Sequence, residues 1–178
     1  PRSERKAGNG HRDFEIEIDP FIGIKEAARR RDFTMNALLK DILSGEIADP
    51  YGGTEDIKNR IIRHIDDRKF GEDPLRALRA AQFRSRFGFQ VAPSTISICR
   101  ALDLRNLSAE RVEMEMKKAL LESRQPSEFF ECLREMGQLG YWFQELEQLI
   151  GLEQNTEFHP EGDVWTHTMM VLDRAAHF

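Results

Sequence analysis

The stretch Asp49-Pro50-Tyr51-Gly52-Gly53 divides this chain into two regions of different character. Proline fixes one backbone angle and the paired glycines allow left-handed turns, so these five residues predict a compact turn cluster. Before it, Phe14-Glu15-Ile16-Glu17-Ile18-Asp19 alternates strictly, as a half-buried strand does. Asn36–Ile42 and Glu46–Ala48 flank Leu43-Ser44-Gly45 and predict a hairpin, and Ile24–Ala28 predicts a short helical turn. Residues 1–13, centred on Lys6-Ala7-Gly8-Asn9-Gly10, read as a flexible loop.

After Gly53 the periodicity becomes helical. Helices are predicted over 54–65, 74–87, 93–102, 108–121, 127–136, 141–150 and 166–178. Asp73-Pro74 reads as an N-cap followed by a first-turn proline, and Ser127 as another cap. Phe129, Phe130, Leu133, Leu139, Trp142, Phe143 and Leu146 recur at helix-packing spacing and read as core rather than as a base-stacking platform. The expected fold class is mixed and mainly α: part of an antiparallel α/β domain over 1–53, then helices over 54–121 and 122–178. The outer strands of so small a sheet leave an edge able to pair with a second copy.

The 178 residues carry 26 Lys+Arg against 31 Asp+Glu, a net charge of −5. That balance argues against binding nucleic acid by charge alone. The arginines nevertheless cluster, at 29–31, 60 and 63, and 76–86, which suits a bounded anionic ligand such as a triphosphate. No apolar run is long enough to span a membrane. Cys99 and Cys132 fit no metal-ligand spacing, so a cytoplasmic location is expected. The chain opens on Pro1 and stops at Phe178 inside a helical pattern, and it reads as an internal piece of a longer polypeptide.

Two segments carry chemistry. In Glu72-Asp73-Pro74-Leu75-Arg76, proline sets a helix start with a carboxylate at its mouth and a guanidinium one turn on. Spacing alone favours a capping Asp with a local ion pair. The alternative is base reading. Cytosine and adenine each present an amino donor beside a ring-nitrogen acceptor, which a carboxylate next to a guanidinium complements; guanine and uracil present the mismatched pattern. In Arg30-Arg31-Asp32-Phe33-Thr34-Met35-Asn36, cations, a carboxylate and an amide stand together, suited to phosphate and sugar oxygens but also to a solvated turn.

Taken in order, Arg30–Ala37, Asp49–Gly53 and Glu72–Arg76, with Phe87-Gly88-Phe89 after them, resemble successive motifs of the class II tRNA nucleotidyltransferases. These comprise the CCA-adding enzymes and their bacterial poly(A) polymerase relatives. The resemblance implies a nucleotidyltransferase head followed by a helical neck and body, with tRNA, CTP and ATP as partners. It implies that Arg31 and Asp32 contact the ribose with Asn36 nearby, and that Asp73 and Arg76 read the base with Glu72 supporting them. Arg79 would meet the triphosphate. Segment 3–12 would belong to the loop used in switching to the final A.

The sequence departs from the family pattern at two points. Gln82 stands where many relatives carry arginine, which leaves Arg84 or Arg86 as substitutes. The family's Asp-x-Asp pair, which holds Mg²⁺, is absent and is expected upstream of Pro1; Asp49, Asp66 and Asp67 are rejected as replacements. Near the C-terminus, His159–Thr168 resembles the entry to the metal-dependent phosphohydrolase domain that some relatives append. His167 would be that domain's first ligand, while Asp163 and His167 read as a solvent-facing pair.

Overall fold

The computed structural model describes residues 2–6 and 14–18 as backbone and residues 21–177 in full. The chain divides into two compact units, 1–73 and 74–178. In the first, β1 (Arg2–Lys6) pairs antiparallel with β2 (Phe14–Ile18), with Arg2 opposite Ile18 and Lys6 opposite Phe14. The alternating strand is therefore present, whereas residues 2–6, expected in a loop, supply its partner. The rest of that expected loop, residue 1 and residues 7–13, lies outside the described residues.

Next come α1 (Ile24–Arg29), a 3₁₀ turn (Thr34–Asn36), and the hairpin of β3 (Leu39–Lys40) and β4 (Ile47–Ala48). Asp41 ties the hairpin turn, its Oδ1 accepting from the Leu43 and Ser44 amides at 2.8 Å each. The helix expected over 54–65 stops early, as α2 (Gly53–Lys58). Arg60 takes a left-handed φ of 55°, and β5 (Ile61–Ile62) follows it. The physical reason is tertiary. Thr34 N–H donates to the Arg63 carbonyl at 2.9 Å and Ile65 N–H to that of Asp32 at 3.3 Å, so Phe33 and His64 form an antiparallel bridge. An extended 61–65 also buries Ile62 and lets Phe33 meet Phe70 edge-on at 5.6 Å. Asp66 caps α3 (Asp67–Gly71) by accepting from Lys69 N–H.

The second unit contains α4 (Leu75–Phe87), β6 (Gln90–Val91), α5 (Pro93–Arg100), α6 (Ala109–Leu121), α7 (Ser127–Glu135), a 3₁₀ turn (Leu139–Tyr141), α8 (Gln144–Glu147) and α9 (Val164–Ala175). Pro74 already has helical angles, so α4 begins where the proline predicted. Helix α4 packs on α6 and α7. Its buried Ala77, Ala80 and Ala81 are small enough to admit a close neighbour, and α7 buries Phe129, Phe130 and Leu133. Phe129, Phe130 and Phe143 stack edge-to-face at 5.1–6.0 Å, and Trp142 donates to the Leu104 carbonyl at 2.9 Å. Phe129, Phe130, Leu133 and Leu139 are core, as their spacing predicts, whereas Trp142, Phe143 and Leu146 are half-buried.

Ser127 corrects its expected role. It lies inside α7 and does not cap with its own hydroxyl. Its backbone N–H and its hydroxyl both donate to Asp173 of α9, at 2.9 and 2.7 Å, so a neighbouring helix supplies the cap. The pattern expected over 141–150 resolves into the Leu139–Tyr141 turn and the single helical turn α8.

Candidate nucleotide-recognition site

In the first unit the chain leaves α1 at Arg30 and tightens into the 3₁₀ turn, folding residues 31–36 back on themselves. Asp32 is buried, and its Oδ1 accepts from the Phe33 amide and from Asn36 Nδ2, both at 2.9 Å. Arg31 is exposed, and its Nη1 donates to the Asn36 carbonyl at 3.0 Å. Arg31, Asp32 and Asn36 thus form one closed hydrogen-bonded ring, with the cation outermost. Beside it opens a cavity of about 280 Å³, with Ile22, Ile24 and Leu39 in its wall and Arg30 and Arg31 supplying the charge. An apolar wall with two guanidiniums suits a ligand that combines an apolar face with an anionic group.

The ring is fixed from behind by residues that sequence reasoning missed. Thr34 donates to Asp56 Oδ2 at 2.7 Å, and Arg63 Nε lies 3.2 Å from both Asp56 oxygens. Asp56 is 7% exposed and comes from α2. The Asp49–Gly53 turn aims that helix. Gly52 has a φ of 73°, and Asp49 caps α2 by accepting from the Gly53 and Thr54 amides at 2.7 and 2.9 Å. A Cβ on Gly53 would meet the Thr34 carbonyl oxygen at 2.3 Å, so only glycine allows this approach. The glycine pair is the signal from which Asp56 is deducible: helix α2 presses on the 3₁₀ turn, and a buried polar group facing it needs a partner.

The rejected aspartates are all engaged. Burial pushes the Asp49 carboxyl up, but amide donors from Thr54, Gly53 and Tyr51 outweigh it and hold the group below the usual range. The Lys69 amide, helped by Arg29, holds Asp66 low. Asp67 contacts His64 Nε2 at 2.7 Å.

Glu72 pairs with Lys69 at 3.1 Å, and Asp73 is the last residue of the first unit. Arg76 lies in the first turn of α4, in the second unit, so Asp73 and Arg76 fall on either side of the division. Arg79, one turn on, lies 3.8 Å from Glu115 and covers the Phe83 ring at 5.2 Å. The suggested substitutes for an arginine at 82 are engaged in structural ion pairs. Arg84 bridges Glu128 and Glu135 at 2.6 Å each, and Arg86 pairs with Glu122 at 2.6 Å. Gln82 itself is buried. Asp163 caps α9 through the Thr166 amide and also accepts from Gly151, while the His167 ring contacts Glu161.

Two families cover most of the chain. The poly A polymerase head domain matches residues 2–63, and the family described as the probable RNA and SrmB-binding site of polymerase A matches 88–150. The chain belongs to the poly(A) polymerase and CCA-adding enzyme family. Within it, the multifunctional CCA protein of Xanthomonas campestris is 44% identical over 98% of this chain, and that of Stenotrophomonas maltophilia 46%. The chain spans 44% of the length of each. Among solved members, the CCA-adding enzyme of Bacillus stearothermophilus in complex with CTP superposes with a TM-score of 0.65 and 38% identity over 71% of this chain and 32% of that one. The Thermotoga maritima CCA-adding enzyme complexed with tRNA gives 0.62 and 28% over 68% and 31%. The mixed, mainly helical architecture is that of the family's head and neck. No helix among the described residues is long and apolar enough to cross a membrane.

Proposed function

We propose that this chain carries the nucleotide- and RNA-recognition part of a template-independent nucleotidyltransferase that adds C and A to the tRNA 3′ end. In the reaction, the RNA 3′-hydroxyl attacks the α-phosphate of CTP or ATP and pyrophosphate leaves. The observation that carries the reading is the closed Arg31–Asp32–Asn36 ring beside a cationic cavity, in a chain similar to enzymes solved with CTP, ATP and tRNA. The ring holds a cation and an amide in fixed relation, which suits a ribose and its phosphates. Asp73 and Arg76 read the base, Glu72 steadies them, and Arg79 meets the triphosphate. The residues beyond Gly53 form neck and body and hold the acceptor end. Asp49, Asp66 and Asp67 do not fit Mg²⁺, because each is committed to a cap or a histidine.

The test is addition to tRNA lacking its terminal CCA by the intact gene product. Ordered incorporation of C, C and A is expected, whereas incorporation of A but never C would favour the poly(A) polymerase reading that both family descriptions support. Asp73→Ala and Arg76→Ala should each erode discrimination of C and A against G and U by about 1–3 kcal/mol. Unchanged selectivity in both variants would remove the base-reading assignment.

A further inference from the structure

We propose that a cleft in the second unit, between α8 and the loop joining α5 to α6, is a binding site for a guanine nucleotide. Its volume is about 590 Å³, inside the range of roughly 300–1,000 Å³ that small-molecule sites occupy. Arg105, Tyr141, Gln144, Glu147 and Gln148 supply its polar lining. Gln144, Glu147 and Gln148 stand three and four positions apart on α8 and the residue that ends it, so they share one face. Tyr141 closes the preceding 3₁₀ turn and is 42% exposed. Among the described residues, the side chains of Tyr141, Gln144, Glu147 and Gln148 make no hydrogen bond or ion pair, so all four are available to a ligand.

The walls of the cleft are tied to each other. Trp142 Nε1 donates to the Leu104 carbonyl at 2.9 Å, which fastens the residue after Tyr141 to the residue before Arg105. Buried Gln138 donates through Nε2 to the Cys99 and Leu102 carbonyls at 2.7 and 3.0 Å and anchors the 3₁₀ turn to the end of α5. Asp103 holds the Arg105 guanidinium by two hydrogen bonds, from Nε at 2.9 Å and from Nη2 at 2.8 Å, while that side chain stays largely exposed. The Glu147 carboxylate lies against Gly140, where a Cβ would run into both of its oxygens. Gly140 is not among the left-handed glycines, so its lack of a side chain serves this approach.

Complementarity selects the ligand. A carboxylate only accepts, and guanine presents two adjacent donors, N1–H and the 2-amino group, to its two oxygens. Adenine and cytosine set a ring-nitrogen acceptor beside their amino group, and uracil flanks its one N–H with carbonyls, so each meets Glu147 with a mismatch. The two glutamine amides can serve guanine O6 and N7, the Tyr141 ring offers a stacking face, and Arg105 suits the phosphate. This preference is the reverse of the C and A that Asp73 and Arg76 complement, so the cleft and the proposed CCA addition stand or fall separately.

The full chain is titrated calorimetrically with GMP, AMP, CMP, UMP and IMP. One GMP per chain is expected, bound roughly tenfold or more tightly than the others, IMP included because it lacks the 2-amino donor. Glu147→Gln should bring GMP and AMP to within about threefold of each other, since an amide offers one donor and one acceptor. Tyr141→Ala should weaken GMP roughly tenfold, whereas Tyr141→Phe keeps the ring and the binding. Arg105→Ala should weaken GMP but not guanosine, and circular dichroism checks that each variant keeps its helices. A single-stranded oligouridylate with one central guanosine then separates the two sources of this chemistry. Tighter binding than GMP assigns the cleft to an unpaired guanosine of RNA, and weaker binding assigns it to free guanine nucleotides. Absence of stoichiometric GMP binding, equal binding of GMP and AMP, or a guanine preference that folded Glu147→Gln leaves intact would overturn the site.

Discussion

Asp56 in the first unit and Glu115 in the second are both buried carboxylates, and the two are held differently. Asp56 has both oxygens engaged, by the Thr34 hydroxyl and by Arg63. Glu115, 1% exposed, meets Lys118 at 2.8 Å and Arg79 at 3.8 Å through Oε1, while its buried Oε2 accepts no hydrogen bond from the described residues. A fully satisfied buried carboxylate fixes what surrounds it. A half-satisfied one contributes less, because the desolvation of its second oxygen is uncompensated. The first unit therefore uses its buried charge to lock the turn that carries Arg31, Asp32 and Asn36. The second rests mainly on apolar helix packing.

The largest effect should come from breaking the lock at its hinge. Gly53→Ala places a Cβ on the Thr34 carbonyl, backbone that cannot step aside. It should cost about 3 kcal/mol, the upper end for overpacking. Urea unfolding measures it. Asp56→Asn should come next, at about 2 kcal/mol, because an amide cannot accept from the buried Thr34 hydroxyl and also neutralise Arg63. Half-exposure of Arg63 keeps the figure below that of a fully buried pair. Both changes act on the contact between α2 and the 3₁₀ turn, so the double variant should lose less than the sum. Full additivity would show that Asp56 does not lock the turn.

The same contrast explains how much could be read from the sequence. The hairpin, the Asp49–Gly53 turn, the start of α4 and the aromatic core were legible, because turn chemistry and helical period are local. The end of α2 was not. Residues 61–65 fit a helical pattern but gain more by pairing with 32–34, a partner about thirty positions away. Ser127 shows the same limit, since its cap arrives from Asp173. In the site, Arg31, Asp32 and Asn36 were legible as neighbours within one motif. Asp56 and Glu115 were hidden among other acids until burial singled them out.

Alkaline pH should separate the units, with a smaller effect. Cys99 and Cys132 both lie in the second unit, and burial pushes each thiol up to about 12 from an ordinary 9.0. A raised folded pKa means that the native thiols keep their protons where unfolded ones ionise. Their contribution is complete below about 9 and is lost as pH rises towards 12. At about pH 10 each should remove roughly 1 kcal/mol from the second unit. Unfolding followed by thiol labelling reads this out, and labelling of either native cysteine at neutral pH would contradict their burial.

The smallest effect is the sharpest test of the comparison. Glu115→Gln is chemically the same change as Asp56→Asn, a buried carboxylate made into its amide. Here the amide nitrogen can occupy the Oε2 position, where no hydrogen bond is lost, while the remaining oxygen still accepts from Lys118. Removing the charge weakens its attraction to Lys118 and Arg79, but both cations are about one-third exposed and water replaces much of that attraction. The buried desolvation cost falls at the same time. Net destabilisation should stay within about 1 kcal/mol, against about 2 kcal/mol for Asp56→Asn. Equal losses would mean that Glu115 is as fully satisfied as Asp56. The first unit would then hold no special claim to a charge-locked turn, and the rigidity assigned to Arg31, Asp32 and Asn36 would need another source.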